Sequence, residues 1–167
     1  MESEATAAAI AREKTNRTGK YLTFLLSNES YGVDVLKVRE IIRFLKITPV
    51  PQMPAYVKGV INLRGKVLPV IDLRLKFGMP ACAATDQTCI IVVEAAGDSR
   101  TAMMGLLVDG VSEVLNIQAA EIEPPPAFGD GVRTDYMQGV AKVKGTVKIL
   151  LDIDRVLTGT ELDALAA

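Results

Sequence analysis

The sequence contains no histidine, no tryptophan and only two cysteines, and aromatic residues make up 5% of its 167 positions. Without histidine the commonest metal ligand and the usual general base are both missing, as is any Ser-His or Cys-His nucleophile. Catalysis, if there were any, would rest on carboxylates, lysine or tyrosine, and neither a metal nor a cofactor is expected. Cys82 and Cys89, with no secretory leader ahead of them, read as reduced thiols rather than a disulfide framework. Every apolar run falls short of the roughly 18 residues that a bilayer span requires. The N-terminus, MESEATAAAIAREKTNRTG, alternates charge where a signal peptide would carry an apolar core, so a cytoplasmic protein without membrane insertion is expected. Charge of one sign is lacking too, with 19 basic against 20 acidic residues. That balance and the few rings argue against nucleic acid as a partner, because such surfaces cluster basic residues around stacking aromatics.

What the chain does have is β pattern. In GVINLRGKVLPVIDLRLK, Gly59 to Lys76, two apolar runs flank Arg64-Gly65-Lys66, the signature of a hairpin with a glycine-bearing turn. The second run is β-branched and nearly continuous, which predicts burial on both faces. Pro69 in its middle cannot donate to a ladder, so the strand must be bulged there or face an edge where that hydrogen bond is not required.

The hairpin occurs twice. QGVAKVKGTVKILLDIDRVL, Gln138 to Leu157, superposes on Lys58 to Phe77 at an offset of 145 − 65 = 80, pairing Gly59 with Gly139, Gly65 with Gly145, Asp72 with Asp152 and Arg64 with Lys144. YGVDVLKVREII, from Tyr31, meets MGLLVDGVSEVL, from Met104, at an offset of 105 − 32 = 73, matching Val38 with Val111 and Glu40 with Glu113. Two copies of one β module, the second with a longer loop, are the economical reading.

Around the repeats, residues 1–18 read as a disordered tail. Lys20–Ser27 and Tyr31–Leu36 form a first hairpin, and Lys37–Lys46 is ambiguous between a helical turn and a strand, the favoured form being a turn at Leu36–Val38 and a strand through Phe44. Pro49, Pro51 and Pro54 hold an extended connection, and Ala55–Lys58 is expected to add one helical turn. Pro80–Gln87 is the crossover between modules of about 19–80 and 81–157, the exchange of strands between them being left open, with 151–157 as a segment that could return to the first. TELDALA, within 158–167, predicts a C-terminal helix.

YGVDVLKVREII, PAYVKGVINLRGKVLPVIDLRLKFG, GLLVDGVSEVL and GVAKVKGTVKILLDIDRVL closely resemble the CheW family of bacterial chemotaxis coupling proteins, over about Gly19 to Leu157. The resemblance implies an all-β fold of two five-stranded SH3-like barrels. It also implies a non-catalytic adaptor, a monomer when alone, that links the cytoplasmic tips of transmembrane chemoreceptors to the histidine kinase CheA in membrane-associated arrays. A coupling protein of another pathway, such as twitching motility, would read the same.

Residues matching Val38, Glu40, Ile41 and Arg64 lie at or near the family's receptor-binding surface. A groove between modules, lined by matching elements of both halves, adds Ile42, Val111 and Val114 to the receptor-binding candidates, with Glu113 beside them. By residue type alone the valines and isoleucines are core residues and Arg64 a solvated turn charge; the resemblance is what draws them into a site. Kinase-contact residues are not picked out by the sequence. Asp72 and Asp152, each after an apolar run, are expected to cap short helical turns rather than to form a paired-carboxylate centre.

Overall fold

The computed structural model describes residues 19–96, 101–125 and 136–157. The N-terminal tail, the turn at Gly97-Asp98-Ser99, the segment after Pro125 and the C-terminal helix expected from TELDALA lie outside them. The described strands are β1 (Lys20–Leu26), β2 (Glu29–Asp34), β3 (Val38–Arg43), β4 (Val57–Leu63), β5 (Lys66–Asp72), β6 (Cys89–Ala96), β7 (Thr101–Val108), β8 (Gly110–Asn116), β9 (Ile122–Glu123), β10 (Met137–Val143) and β11 (Thr146–Leu151). Two short helices, α1 (Leu73–Lys76) and α2 (Ile153–Val156), follow β5 and β11, and a 3-10 turn at Val35–Lys37 leads into β3. The expected helical turn at Ala55–Lys58 is not helical: Val57 already opens β4.

Two sheets form, one in the order β8-β1-β2-β11-β10-β9 and one in the order β3-β6-β7-β5-β4. They are the same module built twice, since β3, β6, β7, β5 and β4 stand where β8, β1, β2, β11 and β10 stand. Thr48 takes the place of β9 through two 2.9 Å backbone bonds with Val60. Each five-strand set exchanges a hairpin: β1–β2 joins β8, β10 and β11, while β6–β7 joins β3, β4 and β5. Both sheets therefore draw on both halves of the chain, and the 80/81 division separates repeats of sequence, not sheets.

Local rules explain the shared details. Arg64 and Gly65 (φ 51° and 87°), like Lys144 and Gly145 (φ 54° and 78°), adopt the left-handed backbone that a two-residue hairpin turn demands. Asp72 and Asp152 accept hydrogen bonds from the amides of Arg74 (3.0 Å) and Asp154 (3.1 Å) and so cap α1 and α2, as their position after an apolar run suggested. Gly59 has φ 144°, and a Cβ there would sit 2.0 Å from the Thr48 carbonyl oxygen, so only glycine lets the crossing segment close onto β4.

Pro69 is tolerated for a reason specific to its register. It faces Val60, whose amide and carbonyl both turn away to Thr48, so no bond to β4 is lost. On the other side the parallel ladder with β7 begins only at Val70. The same late start corrects the expectation of two-sided burial: Val67 is 66% exposed, and only from Val70 to Leu73 is the segment buried throughout.

Strand alternation sorts the apolar residues into three layers. Ile90 and Val92 join Ile61, Leu68 and Val70 inside the five-stranded barrel. Tyr21, Ile117, Ala141 and Leu150 fill the six-stranded one. The opposite faces, with Leu22, Phe24, Val33, Val38, Ile41, Ile91, Val93 and Leu151 among them, make one large cluster between the sheets. Phe24, Tyr31, Phe77 and Tyr136 stack in a row within this seam, with ring centroids 5.9, 6.2 and 5.1 Å apart in sequence.

Candidate functional site

The candidate surface is built on a bulge in β3. Val38 faces Val93 and Glu40 faces Val92, so Arg39 is an extra residue without an opposite number. A bulge breaks the two-residue alternation, and here it lets Arg39 and Glu40 both point outward between the buried Val38 and Ile41. Apolar residues three apart look helical on paper; the bulge is why this segment is a strand.

Each outward charge finds a partner. Arg39 pairs with Glu94 on the neighbouring β6, and Glu40 accepts a hydrogen bond from Nη2 of Arg64 at the tip of the β4–β5 hairpin. The tip is braced by the Asn62 side chain, which accepts from the Gly65 amide at 2.9 Å. The Arg64 side chain nonetheless remains 69% exposed. One guanidinium nitrogen is engaged, and the rest of the five-donor fork faces solvent.

The remaining predicted residues divide sharply. Val38 has no exposed surface and Ile41 is 6% exposed; both belong to the core between the sheets. Both were expected at a receptor surface; in the chain by itself they lie beneath it and anchor β3. Ile42 is half-buried and packs against the five-stranded barrel's interior. Val111 and Val114 on β8 are half-buried at the rim of the central cluster, which both β3 and β8 flank, and Glu113 between them is exposed. The structure brings Glu40 and Arg64 together and keeps Val111 and Val114 on the other unit's edge strand.

Sequence reading missed three contributors. Val67 stands beside the Arg64 turn and gives apolar surface near that cation, and Phe44, just past β3, is 43% exposed. No signal in the alternation marks Val67 as exposed, since its run is apolar throughout. The third is a pair of charged clamps where the chain crosses between sheets. Arg74 on α1 donates to both carboxylate oxygens of Asp109, at 2.7–3.1 Å, and to the Pro80 carbonyl at 3.1 Å, while the Ser27 amide donates to Asp109 at 2.8 Å. Lys37 donates to both oxygens of Asp154 on α2, at 3.0 and 2.9 Å, and the Ala96 amide donates to the same carboxylate at 2.7 Å. Burial pushes the Asp109 carboxyl up, but the hydrogen bonds from Arg74 and Ser27 and the Arg74 charge outweigh it and hold it below its ordinary value. The Asp109 hydrogen bond in turn raises the Arg74 guanidinium.

Among the described residues no group of three or more Cys, Asp or Glu could hold a metal ion, and no helix is long and apolar enough to cross a membrane. Asp72 and Asp152 each cap their own helix. What is distinctive lies on the outside, which defines a class: a paired SH3-like barrel module that presents interaction surfaces.

Comparison with known proteins narrows the class to one family. Residues 20–161 match the model of the CheW-like domain. The chain is 36% identical to the chemotaxis protein CheW of Klebsiella aerogenes over 97% of its own length and 94% of that protein's. It is 34% identical to that of Rhizobium meliloti, over 92% and 97%. The crystal structure of the scaffolding protein TtCheW from Thermoanaerobacter tengcongensis superposes with a TM-score of 0.75 at 36% identity, covering 86% of this chain and 96% of that one. The chain belongs to the CheW-like family.

Proposed function

We propose that this protein is a non-catalytic adaptor that couples the cytoplasmic tips of transmembrane chemoreceptors to the histidine kinase CheA, from the cytoplasm and within membrane-associated arrays. The observation that carries the reading is the exposed Arg64 fork, held at a braced turn by one bond to Glu40. A solvated guanidinium with donors to spare, next to exposed Val67, suits a carboxylate or carbonyls on an amphipathic helix laid across β3. The receptor-facing set is then Glu40, Ile42 and Arg64, extended across the sheets by Val111 and Val114, with Val38 and Ile41 holding β3 in place. The chemotaxis names of the relatives and the scaffolding title of the solved one support the coupling role. The kinase meets a separate surface, on the barrel ends.

In reconstituted receptor–kinase assemblies, Arg64→Ala is expected to leave the unfolding free energy within ~0.5 kcal/mol and to weaken complex formation roughly tenfold or more. Arg64→Lys recovers part of that loss, since an ammonium keeps the charge and loses the planar fork. Lys144→Ala, at the equivalent turn, changes neither. Full kinase activation with Arg64→Ala would return this arginine to the solvated surface. A second reading, the same coupling role in another pathway such as twitching motility, is favoured by one observation: a relative 29% identical over 88% of this chain is the protein FrzA of Myxococcus xanthus. Identification of the co-purifying kinase and receptor separates the two.

A further inference from the structure

The two charged clamps occupy matching places with opposite polarity. At the repeat offset of 154 − 74 = 80, Arg74 on α1 corresponds to Asp154 on α2. Their partners, Asp109 and Lys37, sit at the two crossovers, β7 to β8 and β2 to β3, one residue apart once the offset of 73 is applied, since 109 − 73 = 36. In one clamp the helix supplies the cation and the crossover the anion; in the other these are reversed.

This matters because the repeat offers a competing fold. The hairpin β1–β2 rests on β11, with Gly32 opposite Leu150, and β6–β7 rests on β5, with Gly105 opposite Val70. The modules being alike, β1–β2 could instead pack on β5 and β6–β7 on β11, each half of the chain closing on itself with Gly32 opposite Val70. In that arrangement the β2–β3 crossover docks on α1 and the β7–β8 crossover on α2. Lys37 then meets Arg74, and Asp109 meets Asp154: two attractive pairs become two repulsive ones. The Arg39–Glu94 pair discriminates in the same direction. Val38 faces Val93 as Val111 faces Phe24, so the hairpins align at 93 − 24 = 69, Glu94 corresponds to Leu25 and Arg39 to Ser112. Self-pairing would set Arg39 beside Leu25 and leave Glu94 beside a serine.

We propose that the reversed polarity of the Arg74–Asp109 and Lys37–Asp154 clamps is a pairing key that selects the strand-exchanged topology over self-paired halves. Like-charge juxtaposition is a recurrent way to reject a near-equivalent partner. The key acts through the difference between two arrangements of the same elements, so neither ion pair has to be strongly stabilising by itself.

Reversing one clamp tests this while keeping a bridge in it. The full chain carrying Lys37→Asp with Asp154→Lys is refolded from urea and observed by NMR at Gly32 and Gly105. With both clamps then of one polarity, self-pairing still forms two bridges, and a second set of glycine signals with Gly32–Val70 contacts is expected in roughly a tenth or more of the molecules. Arg74→Asp with Asp109→Arg should do the same. The quadruple variant loses the local hydrogen bonds of both, yet it restores opposite polarity and should return to one set of signals with Gly32–Leu150 contacts. A single exchanged set in both double variants, or a quadruple variant as mixed as they are, overturns the proposal. If the reversals fail to fold, Lys37→Met with Asp154→Asn combined with Arg74→Met and Asp109→Asn, which removes both polarities and keeps acceptors for the Ala96 and Ser27 amides, decides the matter by the presence or absence of the second set.

Discussion

The five-stranded and six-stranded units descend from one pattern and differ where a partner would notice. Both carry a bulged edge strand, a left-handed turn and a capped short helix. In the five-stranded unit the bulge residue Glu40 reaches the turn residue Arg64; in the other, Glu113 and Lys144 form no ion pair among the described residues. The bulges differ as well. Opposite Ser112 and Glu113 stands Thr23, whose hydroxyl donates to the Glu113 carbonyl at 2.8 Å and accepts from its amide at 3.1 Å, where the five-stranded unit has Val92. One unit ties its bulge through a threonine to the backbone, and the other ties its bulge carboxylate to the turn arginine. A duplicated framework thus keeps its folding rules twice and its surface chemistry once.

The contrast breaks most violently at the paired valines. Val38→Asp puts an unpaired carboxylate in the core between the sheets and should cost ~3 kcal/mol or more, whereas Val111→Asp, at the half-buried rim, should cost about 1 kcal/mol or less. Urea unfolding of the two variants measures the difference; equal losses would mean that the two edge strands are alike in burial.

The paired glycines sharpen it next. Gly59→Ala suffers both a left-handed backbone and backbone atoms of Thr48 in the way, for an expected ~2–4 kcal/mol. Gly139→Ala meets Ile122 Cγ2 at 2.5 Å and the Glu123 carbonyl oxygen at 2.7 Å without the positive φ, so about 1–2 kcal/mol is expected. Thermal denaturation at fixed pH ranks them.

The smallest effect concerns the clamp at Asp109. Its carboxyl titrates lower in the folded chain than in the unfolded one, so the unfolded chain binds the extra proton in the acid range. The contribution is complete above the ordinary carboxylate range and disappears as pH falls through the folded value. Asp109→Asn should therefore flatten the acid side of the stability profile and cost about 1 kcal/mol near neutral pH. An unchanged acid slope would show the clamp to be open in solution.

Much of this was legible in the residues. Gly65 and Gly145 marked the turns, Asp72 and Asp152 marked the caps, and the offsets of 80 and 73 marked the repeat, because each reflects a local rule that needs no knowledge of the partner strand. The strand exchange was not legible, since β2 can meet β5 or β11 with the same apolar pattern, and the charges that separate the alternatives, Lys37 with Asp154, Arg74 with Asp109 and Arg39 with Glu94, lie far apart in sequence. Val38 and Ile41 read as core residues by type, but their strand was obscured by the bulge, which spaces buried residues by three where a regular strand spaces them by two. Arg64 and Glu40 were legible as site residues; that they pair depends on how a hairpin tip meets an edge strand, which no spacing encodes.

The interleaving of the hairpins has a consequence for how the molecule can be cut. Between β5 and β6 runs the exposed loop of residues 80–87, where severing the chain disturbs no strand. Yet each fragment would hold one complete repeat and no complete sheet: the first would lack the β6–β7 hairpin that lies between its β3 and β5, and the second the β1–β2 hairpin that lies between its β8 and β11. In the exchanged arrangement the two pieces would stay interleaved after a cut in this loop, each completing its sheet with a hairpin of the other.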